Sequence, residues 1–149
     1  MPSRPGALTI GPVTLGGKFP AFILGPCVIE SEKFVRRMAQ KISAMCAAEK
    51  LPFIFKASYD KANRTSVRSY RGIAAREGCA LLAEIGREIG MPVTTDVHSP
   101  NEVAIAAEFI DVLQIPAFLC RQTDLIRAAA ESGRVVNVKK GQFLAPWDV

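Results

Sequence analysis

The sequence predicts an α/β protein built from repeated βα units around a parallel sheet. From Phe22 to the last residue, short apolar runs alternate with longer stretches of helical periodicity. Their spacing of roughly 25 to 30 residues suits a βα unit. The 149 residues are 49% hydrophobic and 22% charged, which is typical of one folded domain and excludes a disordered or fibrous chain. We therefore expect about five strands and four helices.

A short hairpin is predicted ahead of the first βα unit. Residues 8–19 alternate apolar side chains around Gly-Pro and Gly-Gly, a pattern typical of two antiparallel strands. We assign residues 1–20 to this hairpin, covering one end of the sheet, and residues 21–149 to the sheet domain. The first strand begins at Ala21 and stops near Leu24, because Gly-Pro follows it.

The helices and the later strands follow from periodicity and capping residues. The first helix opens around Ser31, whose hydroxyl suits the unpaired N–H groups of a first turn. One face of this helix is expected to pack on the sheet, and it carries Phe34, Met38, Ile42 and Met45. Further strands are predicted at 52–57, 92–97, 110–115 and 134–138, and further helices along Leu82, Ile85 and Ile89 as far as Gly90, at 101–107 behind Ser99-Pro100, and at 123–130.

The composition permits an anionic small ligand and argues against two other classes. Nineteen Lys and Arg against fourteen Asp and Glu give a net charge of +5, with the charges interleaved and only 7% aromatic residues. The basic patch with stacking aromatics of a nucleic-acid binder is therefore missing. No apolar stretch approaches the roughly twenty residues that cross a bilayer. With four cysteines, no CxxC pair and no secretory leader, we expect a soluble cytoplasmic protein with reduced thiols.

Polar or reactive residues stand at the C-terminal end of every predicted strand. A barrel builds its site in this way, whereas an open doubly wound sheet uses one crevice and a glycine-rich first turn, which GPCVIE is not. Length favours the open sheet, since a complete barrel takes about 250 residues, but the five decorated strand ends favour the barrel. These residues are Cys27 and Glu30, Lys56 and Ser58, Asp96 and His98, Gln114, and Lys139, Lys140 and Gln142.

The lysines give the sharpest chemical signal. Lys56 ends a strand that is otherwise apolar, so we interpret it as a cation held in a cleft for phosphate or carboxylate, with a lysine reaching to solvent as the alternative. Residues 56–66 add Lys61 and Arg64, which suit phosphate oxygens; a solvated loop with Asp60 paired locally is the alternative. Only one of two adjacent strand residues can face inward, and Lys139 shares the parity of Asn137.

The single histidine and the helical cysteines are more open to bland interpretations. His98 has the parity of Asp96, but a lone histidine is more often structural than catalytic. Cys46 and Cys79 lie inside helical patterns and are expected to be small buried hydrophobes. Cys27 could be one metal ligand, although ligation needs about three protein groups. Cys120 has no evident role.

Five strings carry a family resemblance: GPCVIES at 25–31, FKASYDKANRTS at 55–66, TTDVH at 94–98, QIPAFLCRQTDL at 114–125 and NVKKGQFLAPWD at 137–148. Together they resemble the 3-deoxy-D-manno-octulosonate 8-phosphate synthase family. The resemblance implies a (β/α)8 TIM barrel, here its first five strands and four helices. It also implies a transferase that condenses phosphoenolpyruvate with D-arabinose 5-phosphate and water, releasing phosphate, for lipopolysaccharide precursors.

The resemblance also implies roles for individual residues. It makes Lys56, Lys61, Lys139 and Asp96 catalytic. The residues that it implies for the phosphoenolpyruvate site are Lys56, Ser58, Lys61, Gln114, Ala117, Phe118 and Lys139. Those that it implies for the sugar phosphate are Asn63, Arg64, Thr65 and Asp96. Cys27 marks a metal-dependent branch of the family, in which a divalent Zn, Fe or Mn ion takes its other ligands, a His, a Glu and an Asp, from later strands. A homotetramer is implied for the full-length enzyme.

Because residue 149 follows the fifth predicted strand, we expect an incomplete barrel whose 149 residues alone show no synthase activity. Two alternatives remain. One is a sibling synthase that pairs the same enol donor with erythrose 4-phosphate or an amino sugar. The other is a sugar-phosphate-binding module without catalysis.

Overall fold

The main body of the protein is a five-stranded parallel sheet, seen in a computed structural model that describes residues 6–148. The sheet order is the chain order, and every neighbouring pair is parallel. The strands are β1 Leu8–Ile10, β2 Val13–Leu15, β3 Phe22–Leu24, β4 Phe53–Lys56, β5 Val93–Asp96, β6 Val112–Ile115 and β7 Val135–Val138, of which β3 to β7 form the sheet. The helices are α1 Glu32–Ala48, α2 Ala75–Ile89, α3 Pro100–Ala106 and α4 Thr123–Glu131.

This strand order decides between the two architectures that the sequence left open. A doubly wound sheet reverses its strand order at a switch point, whereas a barrel adds each new strand beside the last. The order β3-β4-β5-β6-β7 has no reversal. The predicted partial (β/α)8 barrel, five strands with four helices, is therefore confirmed.

The predicted hairpin is formed by β1 and β2, which pair antiparallel. Its side chains Ile10 and Val13 are buried against Ile54 of β4 and Val112 of β6. Both strand residues belong to the sheet face turned away from the main helix-covered core. The hairpin thus covers one end of the sheet, as expected.

Capping residues fix the helix starts where the sequence placed them. Ser31 precedes α1, and its Oγ accepts a hydrogen bond from the Phe34 N–H at 3.2 Å. Ser99 does the same for Glu102 at 3.3 Å, with Pro100 opening α3. Gly90 follows α2 in the left-handed conformation. Within residues 6–148, no helix combines the length and apolarity that a bilayer crossing requires.

The predicted packing face of α1 is wrong by about one position. The fully buried residues are Val35, Ala39 and Cys46, whereas Met45 is 69% exposed. Small side chains let the helix backbone approach its neighbours closely, while long ones would hold it away. Periodicity identified the helix, but the bulkier stripe lies at the edge of the contact rather than at its centre.

Candidate active site

A row of polar side chains crosses four adjacent strands at their C-terminal ends. Lys56 Nζ lies 2.9 Å from Asp96 Oδ2. Gln114 donates from Nε2 to Asp96 Oδ1 at 2.6 Å, and Asn137 donates from Nδ2 to Gln114 Oε1 at 2.9 Å. The register causes this row, because Asp96 stands opposite Gln114, and Gln114 opposite Asn137, in the parallel ladder. Side chains at paired positions of neighbouring strands share one face of the sheet.

The charge of Lys56 determines the direction of the whole row. Asp96 and Lys56 are only 14% and 18% exposed in their side chains. Burial by itself raises the pKa of Asp96, but the Lys56 ammonium and the Gln114 amide outweigh it and hold that pKa below its usual value. Asp96 is therefore an acceptor only, so Gln114 must present its amide N–H groups to it and its oxygen to Asn137.

A cavity of about 380 Å³ opens above this row, at the mouth where a barrel places its site. Three lysines line it, which gives the cavity its cationic character. Of the residues that the sequence analysis assigned to the site, those lining it are Cys27, Lys56, Ser58, Lys61, Asn63, Asp96, Ala117, Phe118 and Lys139. Gln114 is buried in the row through its bond to Asp96.

Arg64 and Thr65 do not line this cavity, and the sugar-phosphate role that the resemblance implies for them stays a prediction. Arg64 Nη1 donates to the backbone oxygen of Lys61 at 3.2 Å, and its Nε is buried without a partner among the described residues. Thr65 is exposed. One backbone carbonyl of the same loop therefore holds the Arg64 guanidinium group.

Two other residues of this loop are used within it. Ser58 is buried, and its hydroxyl donates to the Asp60 carbonyl at 2.7 Å. The Asp60 carboxylate receives two bonds from Arg71, at 2.9 and 3.0 Å. Asp60 is thus paired with Arg71, which lies beyond residues 56–66, and this pair ties down the loop that carries Lys61.

The two adjacent lysines after β7 divide as strand parity predicted. Lys139 lines the cavity. Lys140 turns to the following loop, where its Nζ donates to the carbonyls of Gly141 at 2.9 Å and Leu144 at 2.8 Å. Lys139 is thus the cation available to a ligand.

His98 lines the cavity and is held from behind by Glu102, a residue that sequence reasoning missed. Glu102 Oε2 accepts from the backbone N–H of His98 at 2.8 Å and lies 3.2 Å from its Nδ1. The Tyr59 hydroxyl donates to the same oxygen at 2.8 Å. Burial, followed by Glu102, raises the pKa of Tyr59 above its ordinary value. The four-residue spacing of His98 and Glu102 at a helix start was the available signal.

The residues described do not by themselves fit the metal ion that the resemblance implied. No three His, Cys, Asp or Glu side chains between residues 6 and 148 form a possible ligand group. Cys27 is an exposed thiol at the cavity, while Asp96 is bound to Lys56 and His98 faces Glu102. Cys27 accordingly offers one donor, and the metal remains a prediction. Cys46 and Cys79 are buried, as predicted, and Cys120 is buried too.

Comparison with known proteins shows the family to which the chain belongs. The chain is 59% identical over 143 residues to a 2-dehydro-3-deoxyphosphooctonate aldolase of Pelobacter propionicus, covering 95% of this chain and 53% of that protein. It is 58% identical over 137 residues to a protein of the same name from Koribacter versatilis, covering 92% of this chain and 49% of that protein. This name is a synonym for the synthase that the motifs resemble.

The chain spans about half the length of the curated relatives it matches. A family model described as the DAHP synthetase I family matches residues 7–149, from the hairpin to the last residue. Its match therefore includes all five sheet strands and every polar residue of the cavity. The chain belongs to the DAHP synthetase I family.

Proposed function

We propose that the protein carrying this chain condenses phosphoenolpyruvate with D-arabinose 5-phosphate and water, giving 3-deoxy-D-manno-octulosonate 8-phosphate and inorganic phosphate. The observation that supports this most directly is the cavity lined by Lys56, Lys61 and Lys139, in which Asp96 pairs with Lys56. Relatives named 2-dehydro-3-deoxyphosphooctonate aldolase are 59% and 58% identical to the chain over 95% and 92% of its length.

The chemistry of the donor substrate fits three lysines around one cavity. Phosphoenolpyruvate carries a carboxylate and a phosphate on the same carbon, so a site for it needs several cations and a small apolar wall. Lys61 and Lys139 have no ion-pair partner among residues 6–148, which leaves their charges for these groups. Ala117 and Phe118 supply the apolar wall. We assign Ser58 and Gln114 to the same substrate.

We assign the sugar phosphate to the loop after β4, with Asn63, Arg64, Thr65 and Asp96 as its partners. Asn63 lies at the cavity. Arg64 binds its own loop, and a phosphate would replace a neutral carbonyl by a charged acceptor, which forms the stronger bond. Binding of the sugar phosphate is therefore expected to reorganise this loop.

The reaction joins the enol carbon of phosphoenolpyruvate to the aldehyde carbon of the sugar. Water adds at the carbon that bears the phosphate, and phosphate leaves from there. Negative charge develops on the aldehyde oxygen, where a fixed cation in a poorly solvated site is most effective. Lys56 is such a cation: Asp96 anchors its ammonium, the Cys27 carbonyl accepts a second N–H at 3.5 Å, and the third N–H donor is left for a ligand. Holding both substrates together supplies the remainder of the acceleration.

Three narrower proposals accompany this one, and no step above depends on them. Cys27 would contribute one thiolate to a divalent Zn, Fe or Mn ion whose other ligands lie outside the described residues. The enzyme would act in the cytoplasm, on the route to lipopolysaccharide precursors. It would be a homotetramer. Metal analysis of wild type and Cys27→Ser, and light scattering of the purified protein, test the first and the last.

The test is turnover by the protein expressed from its complete gene, with the eight-carbon product identified by mass spectrometry and phosphate release followed in parallel. Lys139→Ala is expected to lower kcat/KM by about 10- to 100-fold, the loss of one charge-assisted hydrogen bond. Lys41→Ala, on an exposed position of α1, is the matched control and should match wild type. Faster turnover of erythrose 4-phosphate would establish the sibling synthase, and calorimetric binding without turnover would establish a non-catalytic module.

A further inference from the structure

Two donors and a ring nitrogen of His98 converge on one carboxylate oxygen behind the cavity. Glu102 Oε2 accepts from the Tyr59 hydroxyl at 2.8 Å and from the His98 backbone N–H at 2.8 Å, and it lies 3.2 Å from His98 Nδ1. Glu102 is itself placed by the Ser99 cap at the start of α3. Nothing in the proposed reaction uses Glu102 directly, because it does not line the cavity.

This arrangement constrains the tautomer of His98. An ionised carboxylate can only accept hydrogen bonds, so the nitrogen that faces it must carry a proton. A neutral His98 ring is then protonated on Nδ1 and bare on Nε2. The Tyr59 ring stands edge-on to the imidazole, at 6.1 Å between centroids and 85° between planes, and limits its rotation.

The remaining nitrogen is the one that a ligand can meet. His98 is part of the cavity wall, and its side chain is 16% exposed. Within residues 6–148, Nδ1 has a partner and Nε2 has none. Asp96, two residues earlier on the same side of the chain, lines the same cavity. The free nitrogen is therefore an acceptor next to the Lys56–Asp96 pair.

We propose that Glu102 is a positioning residue, which fixes His98 so that Nε2 is a hydrogen-bond acceptor for an O–H group in the substrate cavity. This inference rests on the proposed function for its substrates but not for its tautomer. Two O–H sources exist in the proposed reaction, the water that adds and the sugar hydroxyls. Either O–H group can donate to a bare Nε2, whereas a ring protonated on Nε2 would present a donor instead.

The experiment is nitrogen NMR of selectively labelled histidine in the protein expressed from its complete gene, with His98→Asn used to assign the signals. The ring should show a protonated Nδ1 and an unprotonated Nε2 at a pH where it is neutral. In Glu102→Gln, whose amide can donate as well as accept, the Nε2–H form should appear. Tyr59→Phe removes one donor but keeps the carboxylate, so it should retain the wild-type tautomer.

Activity supplies the second readout. Glu102→Gln should lower kcat by about 10- to 100-fold, the usual effect of losing the partner that orients a functional histidine, while Tyr59→Phe stays within about threefold of wild type. On adding arabinose 5-phosphate, a shifted Nε2 signal assigns the O–H to the sugar, and an unshifted signal with the same tautomer assigns it to water. An Nε2–H ring in wild type, or an unchanged tautomer in Glu102→Gln, overturns the proposal. Since the tautomer is measured without turnover, a protein lacking synthase activity contradicts the proposed function alone.

Discussion

Replacing Lys56 with methionine tests the ion pair at the centre of the site. Methionine keeps a flexible apolar stem of similar length but removes the ammonium that lies 2.9 Å from Asp96. Asp96 keeps its hydrogen bond from Gln114, yet its carboxylate is left in a poorly solvated position without a countercharge. The variant should therefore be less stable than wild type at neutral pH.

The size of the loss follows from the burial of the pair. Exposed ion pairs contribute about 0–1 kcal/mol, and removing one partner of a fully buried pair costs about 3–5 kcal/mol. With 18% and 14% of the two side chains exposed, this pair lies nearer the buried limit, but water reaches it from the cavity. We expect Lys56→Met to lower the free energy of unfolding by about 2–3 kcal/mol.

The pH dependence has a definite sign. Because the folded state holds the pKa of Asp96 below its ordinary value, the pair stabilises the fold above the ordinary carboxyl pKa. That contribution is lost as the pH falls through the lowered pKa of the folded state. Without Lys56, burial favours the neutral carboxyl, so the variant loses less stability on acidification. The gap between wild type and Lys56→Met should narrow in acid.

The measurement is equilibrium urea unfolding at neutral and acidic pH, in a double-mutant cycle with Asp96→Asn. Lys61→Met is the matched control, since Lys61 lines the same cavity without an ion pair in the described residues, and it should change stability by less than about 0.5 kcal/mol. Equal losses for the two lysine variants, a coupling energy near zero, or a gap that widens in acid would refute the reasoning.

Three further predictions concern the elements that support the site. Gly25→Ala should lower the free energy of unfolding by at least about 3 kcal/mol, because Gly25 has φ of +153° and a Cβ there would overlap the last carbonyl of β4. The control Gly90→Ala, at φ +66° in open space, should lower it by only about 1 kcal/mol. Similar losses for the two variants in urea unfolding would contradict the steric argument. Arg36→Ala should lower the free energy of unfolding by about 1–2 kcal/mol, and by less at high salt, because Arg36 forms ion pairs with three glutamates of α1 and α2. The control Arg37→Ala, at the exposed neighbouring position, should change this free energy little. A loss that does not depend on salt would count against the ion pairs. Of the four cysteines, Cys27 should react first with a thiol reagent, because its thiol is exposed at the cavity, and phosphoenolpyruvate should slow this reaction. Peptide mass mapping measures the rate at each cysteine. Equal rates for the buried thiols would contradict the burial seen in the structure.

The sequence predicted best what depends on period and parity. The strand end at Leu24 follows from the Gly-Pro behind it, and the parity of Lys139 with Asn137 follows from the two-residue repeat of a strand; both hold in the structure. Capping at Ser31 and Ser99 follows from the unpaired N–H groups of a first turn, and both hydroxyls accept the expected bond. These features are local, so the chain itself carries the information.

Features that depend on distant partners were predicted less well. Met45 belongs to an apolar stripe, but which stripe is buried depends on the shape of the neighbouring strands and helix. Arg64 has the side chain that suits phosphate binding, but its conformation depends on the Lys61 carbonyl of its own loop, to which it donates a hydrogen bond. The spacing of Glu102 from His98 is a local signal, but its bond from Tyr59, which lies 43 residues earlier, has none. Long-range hydrogen bonds of this kind have no fixed spacing.

The two-residue repeat of a strand also explains why the hairpin and the polar row lie on the same face of the five-stranded sheet. Ile54 and Lys56 lie on one face of β4, and Val112 and Gln114 lie on the same face of β6. Two residues along a strand correspond to about 6.6 Å, so this face of the sheet changes from the apolar Ile54 and Val112 to the polar row within that distance. The hairpin must cover Ile54 and Val112, because these side chains would otherwise face water. The polar row faces the open cavity. A substitution that weakens the packing of Val13 on Ile54 and Val112 should therefore disturb the polar row before it unfolds the helices.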